Sequence, residues 1–132
     1  MGPGDVRGLR QAGGGARRRW WSVIDYDGRR FRKEGAGDAP VAVYRQRGDV
    51  VWTEVSGGPV LRCSVTGVRD SRDILHMGYT IVLDSGDVIC GRTVNTPEVA
   101  DDGRIRLREQ WERYGAHAAT GTSYLEEVRD LR

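Results

Sequence analysis

Two cysteines and two histidines are all that this 132-residue chain offers toward a Cys/His metal site. Cys63 and Cys90 lie far apart outside any Cys-x-x-Cys spacing, and His76 and His117 are equally isolated, so a Cys/His zinc site has little to be built from. No acidic loop has EF-hand spacing either. The expectation is no metal and no cofactor, with the two cysteines as small buried thiols rather than a disulfide. No apolar run reaches membrane-spanning length, and no signal-like stretch follows the basic residues at the N-terminus, which points to a soluble cytoplasmic protein. Ser/His/Asp order, P-loop and dinucleotide fingerprint are missing too. Lysine is almost absent: twenty of the 21 basic residues are arginine.

With 38% hydrophobic and 30% charged residues, the chain suits one compact domain with a modest core. The net charge of +2 hides an asymmetry. Residues 1–33 carry nine Lys/Arg against three Asp, about +6, and the remainder twelve against sixteen, about −4. Residues 1–19 are Gly- and Arg-rich and cannot bury enough surface to offset their ordering entropy. Residues 1–22 are therefore read as a disordered basic extension, and 23–132 as a single domain. Arg17, Arg18 and Arg19 followed by Trp20 and Trp21 are types that neutralise phosphates and stack on bases, but an incidental extension explains them more simply than a nucleic-acid partner does.

What is abundant is turn chemistry. Gly/Asp clusters at 35–38, 47–49, 57–59, 70–73, 84–87 and 101–103 separate β-branched and aromatic runs, the pattern of antiparallel hairpins. Strands are predicted at 29–33, 41–46, 50–56, 60–69, 74–83, 88–97, 104–114 and 122–129. About eight strands suffice for a small all-β, antiparallel up-and-down (calycin-like) barrel, whose interior is either filled or holds one small ligand. If its edges stay open, pairing into a homodimer follows.

In 104–113, Arg104, Arg106 and Arg108 alternate with Ile105, Leu107, Glu109 and Trp111. As a strand, this puts a carboxylate on an apolar face, where it must find a partner or line a cavity. A helix competes, because Leu107, Trp111 and Tyr114 also fall at helical spacing and Glu109 and Arg113 form an i,i+4 pair. Period two also groups Leu75, Met77, Tyr79 and Ile81, leaving His76 exposed. It sets Trp52 and Glu54 against Val51, Thr53 and Val55, and groups Val88, Cys90, Arg92 and Val94. Tyr44 and Tyr124 fit either face, and Glu126 and Glu127 point opposite ways.

A series of segments resembles a small, uncharacterised bacterial family whose members often carry the label N-acetylglutamate synthase. It runs through Ile24-Asp25-Tyr26-Asp27-Gly28, Tyr44-Arg45-Gln46, Ser56-Gly57-Gly58, Asn95-Thr96-Pro97-Glu98, Asp102-Gly103-Arg104-Ile105-Arg106-Leu107, Glu109-Gln110-Trp111 and Gly121-Thr122-Ser123. The resemblance covers roughly residues 24–128 and implies a small lipocalin-like or avidin-like barrel. Asn95 departs from it, standing where the family has serine. The synthase label itself lacks support, since no strand-to-helix turn with a pyrophosphate-binding glycine pattern is present.

On such a barrel, Glu54, Arg92 and Glu109 are the expected interior polar groups, lined by Trp52, Trp111, Tyr79 and Met77. An Arg facing carboxylates either plugs a filled barrel or orients a ligand. The expected function is binding of a small hydrophobic or amphipathic molecule, with Arg92, Trp52, Trp111, Tyr79 and Met77 as ligand contacts. The alternative is an isomerase, cyclase or lyase using Glu109 or Glu54 as general acid/base.

Overall fold

The computed structural model describes residues 23–129; the predicted extension at 1–22, with its Arg-Trp cluster, lies outside the described residues. Nine strands form one antiparallel sheet: β1 Arg30–Lys33, β2 Ala42–Val43, β3 Arg45–Arg47, β4 Val50–Gly57, β5 Val60–Arg69, β6 Leu75–Leu83, β7 Val88–Val99, β8 Ile105–Arg113 and β9 Ala119–Glu127. Their spatial order is β2-β1-β9-β8-β7-β6-β5-β4-β3. The two edges are halves of a single segment interrupted at Tyr44, so the sheet curls into a nearly closed up-and-down barrel. Tyr44 joins the halves: its N–H donates to the Arg29 carbonyl at 2.8 Å, and its carbonyl accepts from Gly28 N–H at 2.7 Å. Thr53 Oγ1 donates to the Val43 carbonyl at 2.8 Å across the remaining gap. Edges of two and three residues leave little strand for edge-to-edge pairing.

Residues 105–113 form a strand, and the helical alternative is overturned. Hydrogen bonding to β7 on one side and β9 on the other uses the backbone fully, and Ile105 and Leu107 are both buried on the inner face. Tight turns set the pairing. At 100–104, Ala100 N–H donates to the Arg104 carbonyl and Gly103 N–H back to Ala100, with Gly103 at φ +86°, a conformation that glycine adopts without steric cost.

The lower half of the barrel is packed. Phe31, Val51, Leu75, Ile105 and Leu107 fill it, with Tyr26 as a plug from below. The plug is pinned by polar bonds: Tyr26 Oη donates to the Asp73 carbonyl at 2.7 Å, Ile24 N–H to Asp73 Oδ1 at 3.0 Å, and Tyr26 N–H to Gln46 Oε1 at 2.8 Å. Beside it, buried Glu127 accepts from Arg29 and from the Ile105 N–H. His76 is exposed and pairs with Asp70 at 2.8 Å. The cysteines are free, but Cys90 is exposed on the outer wall rather than buried, and Cys63 is half-buried on the inner wall.

Candidate functional site

Above this floor the barrel is hollow. A cavity of about 250 Å³, just below the usual pocket range of roughly 300–1,000 Å³, lies near the strand ends that carry Lys33 and Arg113. Two larger depressions, at the plugged end and on the outer face of β7 to β9, are open to the surface.

Three adjacent strands supply the polar floor. Asn95 lies opposite Glu109 across β7 and β8, and Glu109 opposite Ser123 across β8 and β9. Asn95 is 2% exposed; its Nδ2 donates to Thr93 Oγ1 at 2.9 Å, while its Oδ1 is buried without a partner. Among the described residues, none donates a hydrogen bond to the Glu109 carboxylate or forms an ion pair with it. Burial pushes this carboxyl above its ordinary range, and the Lys33 ammonium opposes the shift. Burial also raises the Tyr44 hydroxyl and the Cys63 thiol, with the Glu109 charge adding to each; Cys63 is thus a neutral wall group, not a thiolate.

The aromatic walls depend on two glycines. Trp111 lies over Gly121, where a Cβ would come within 2.4 Å of the indole, and Tyr79 lies over Gly91, where a Cβ would come within 2.5 Å of the phenol oxygen. Trp111 Nε1 donates to Ser123 Oγ at 3.2 Å, and Tyr79 Oη donates to the Glu112 carbonyl at 3.3 Å. The Gly121→Ala variant is expected to fold with a loss of about 1–3 kcal/mol from overpacking and to displace the indole from Ser123. The check is the position of the Trp111 indole N–H resonance; an unmoved resonance would contradict this packing.

The barrel brings together only some of the residues expected from the sequence. Glu109, Trp111 and Tyr79 line the cavity. Met77 points inward but belongs to the packed floor below it. Glu54, Arg92 and Trp52 are corrected, because all three lie on the outer wall. The inward residues of β4 are Val51, Thr53 and Val55, and those of β7 are Ile89, Gly91, Thr93 and Asn95. Outside, Glu54 pairs with Arg62 and Arg92 with Glu112, so the expected interior Arg/Glu cluster does not form. Tyr44 faces in and Tyr124 out, the latter under the Arg106 guanidinium at 3.7 Å. Asn95, Thr93, Ser123, Lys33 and Arg113 were not anticipated as site residues. Among the described residues no group of three or more His, Cys, Asp or Glu converges on a point that could hold a metal ion.

A family model described as avidin-like protein matches residues 24–128. No curated protein and no solved structure matches the chain. The acetyltransferase label finds no support in the fold: apart from a 3-10 turn at Gly115–His117, the described residues contain no helix on which a pyrophosphate could rest.

Proposed function

Because the chain belongs to the avidin-like protein family, we propose that it is a small-molecule-binding barrel whose ligand occupies the cavity above Asn95 and Glu109. The observation that carries this reading is the Asn95 carbonyl oxygen, buried without a partner and beside a carboxylate that also lacks one. A buried acceptor left without a donor costs stability, and the Glu109 carboxylate beside it is half-buried. A bound molecule with N–H or O–H groups would satisfy both, while its apolar body packs between Trp111, Tyr79 and Tyr44. The volume equals about eight waters at roughly 30 Å³ each, which suits a compact ligand.

Trp111 and Trp52 provide an internal comparison, one on the inner wall and one on the outer. Binding is expected to shift the Trp111 indole N–H resonance in a titration and to leave that of Trp52 in place. Ligands that move only Trp52 would overturn the reading. Raised Glu109 among aromatic walls favours a second reading, an isomerase, cyclase or lyase with Glu109 as general acid/base. The two differ on Glu109→Gln: an enzyme loses turnover while still holding its substrate, whereas a binder loses affinity.

A further inference from the structure

The half-buried arginines of this barrel are, with one exception, engaged. Arg29 pairs with Glu127, Arg32 with Glu126, Arg69 with Asp49, and Arg106 with both Glu34 and Glu98. Arg30 donates to the Arg129 carbonyl at 3.0 Å, and Arg113 leans over the Trp111 ring, its Cζ 5.3 Å from the ring centre. Arg108 is the exception. Among the described residues it is half-buried yet forms no hydrogen bond, ion pair or ring contact, and its Nε is shut off from solvent without an acceptor. Burying a charged donor in this way carries a cost that no group of this chain offsets.

Arg108 stands on the outer wall of β8, opposite Thr96 of β7 and Tyr124 of β9. The carboxylates of that wall are taken: Glu98 by Arg106, Glu112 by Arg92 and Glu126 by Arg32. The next outward residue of β8, Gln110, lies between Val94 and Thr122 in the open depression of about 390 Å³ that Thr120 also lines. Two features set the class of occupant. The unanswered charge is positive, and a guanidinium fork matches the geometry of a carboxylate. The depression is open, so it cannot shield a small free anion from water, where a lone exposed pair is worth little; a longer chain covers the arginine and excludes water as it binds. We propose that the outer wall of β7 to β9 is a docking face for an acidic peptide segment of another protein. One carboxylate of the segment meets the exposed side of the Arg108 guanidinium. The peptide backbone runs over Gln110, Thr120 and Thr122, whose amide and hydroxyls can both donate to and accept from it.

The test is an NMR titration with a blocked pentapeptide that alternates serine with glutamate, run beside counterparts carrying glutamine or lysine in place of glutamate and beside inorganic phosphate. The glutamate peptide is expected to shift the amides of Arg108, Gln110 and Thr122 and the Arg108 Nε–H signal, and to leave the Tyr79 amide of the cavity wall in place. It should bind about fivefold more tightly than the glutamine peptide and weaken as salt is raised; the lysine peptide should move none of these signals. Arg108→Gln is expected to abolish the fivefold preference, while Arg47→Gln, which removes an exposed arginine of β3 that also lacks an ion pair, keeps it. Equal losses in the two variants would reduce the effect to attraction by net charge and overturn the site. Phosphate that moves the same signals as tightly as the peptide would make this a small-anion site and overturn the peptide assignment. Silence of the Arg108, Gln110 and Thr122 signals toward the glutamate peptide would overturn the proposal outright and leave the reading of the cavity untouched.

Discussion

Glu109→Gln is expected to melt higher than the wild type at pH 7 and to bind the cavity ligand at least tenfold more weakly. The first effect follows from burial, which raises the Glu109 carboxyl in the folded protein above its unfolded value of about 4.3. A group shifted this way contributes its stability below the unfolded pKa and loses it as pH rises through the folded one. The wild type therefore loses ground to the Gln variant from about pH 4 upward, and the gap stops widening once Glu109 is ionised. For a half-buried carboxylate the cost is on the order of 1 kcal/mol at most, so Gln should gain no more than about 4–8 °C in melting temperature for a domain of this size. The second effect follows from losing a charged acceptor, a hydrogen bond of about 1.5–3 kcal/mol and so roughly tenfold to a hundredfold in affinity. Thermal melts at pH 4 and 7, with titration of the same ligand into both proteins, check the two together. Equal melting at both pH values would contradict the half-buried, unpaired state of Glu109.

Gly67→Ala should have the largest effect on the fold. On the inner wall, Gly67 sits between Val51 of β4 and Met77 of β6. A Cβ there would lie 1.9 Å from the His76 carbonyl oxygen and 2.6 Å from the Met77 Cα. Both are backbone atoms, so no rotamer change relieves the clash, and β5 and β6 must part. The expected loss is about 3 kcal/mol or more, a large share of the roughly 5–15 kcal/mol that holds a domain together. Because Val65 and Tyr79 stand opposite each other across the same pair of strands and both line the cavity, ligand binding should fail with it. Gly78→Ala is the control: it lies on the outer wall of β6, where a Cβ would meet its nearest neighbour at 3.9 Å. Urea unfolding should show Gly78→Ala close to wild type; similar losses for the two variants would contradict the account of the β5–β6 contact.

The barrel was legible because its turns are. Gly/Asp clusters separate alternating runs at nearly even spacing, and the strand at 105–113 could be read from an alternation of Arg with Ile and Leu. Faces within each strand were legible too, and Trp52 does share a wall with Glu54. What period two cannot give is which wall faces in, and Arg92 and Glu54 were lost on that point. A polar residue looks the same from either side, and Arg92 has Val94 and Cys90 for company on the outside. Counting from the turns would have helped. A hairpin centred on Asp102 pairs residues equidistant from it, so an inward Glu109 requires an inward Asn95 and sends Arg92 out opposite Glu112. The same counting about Ala116 pairs Glu109 with Ser123. Asn95 was visible in the sequence as a departure from the family pattern, without a reason attached. Lys33 and Arg113 needed the barrel itself, because β1 and the end of β8 approach the cavity only when the sheet curls.

The most direct measurement is a crystal structure of the protein with the tightest ligand from the titrations. The account predicts that molecule between Tyr79 and Trp111, with its donors about 2.7–3.2 Å from Asn95 Oδ1 and the Glu109 carboxylate. A ligand seated on the outer wall, with Asn95 and Glu109 untouched, would contradict it.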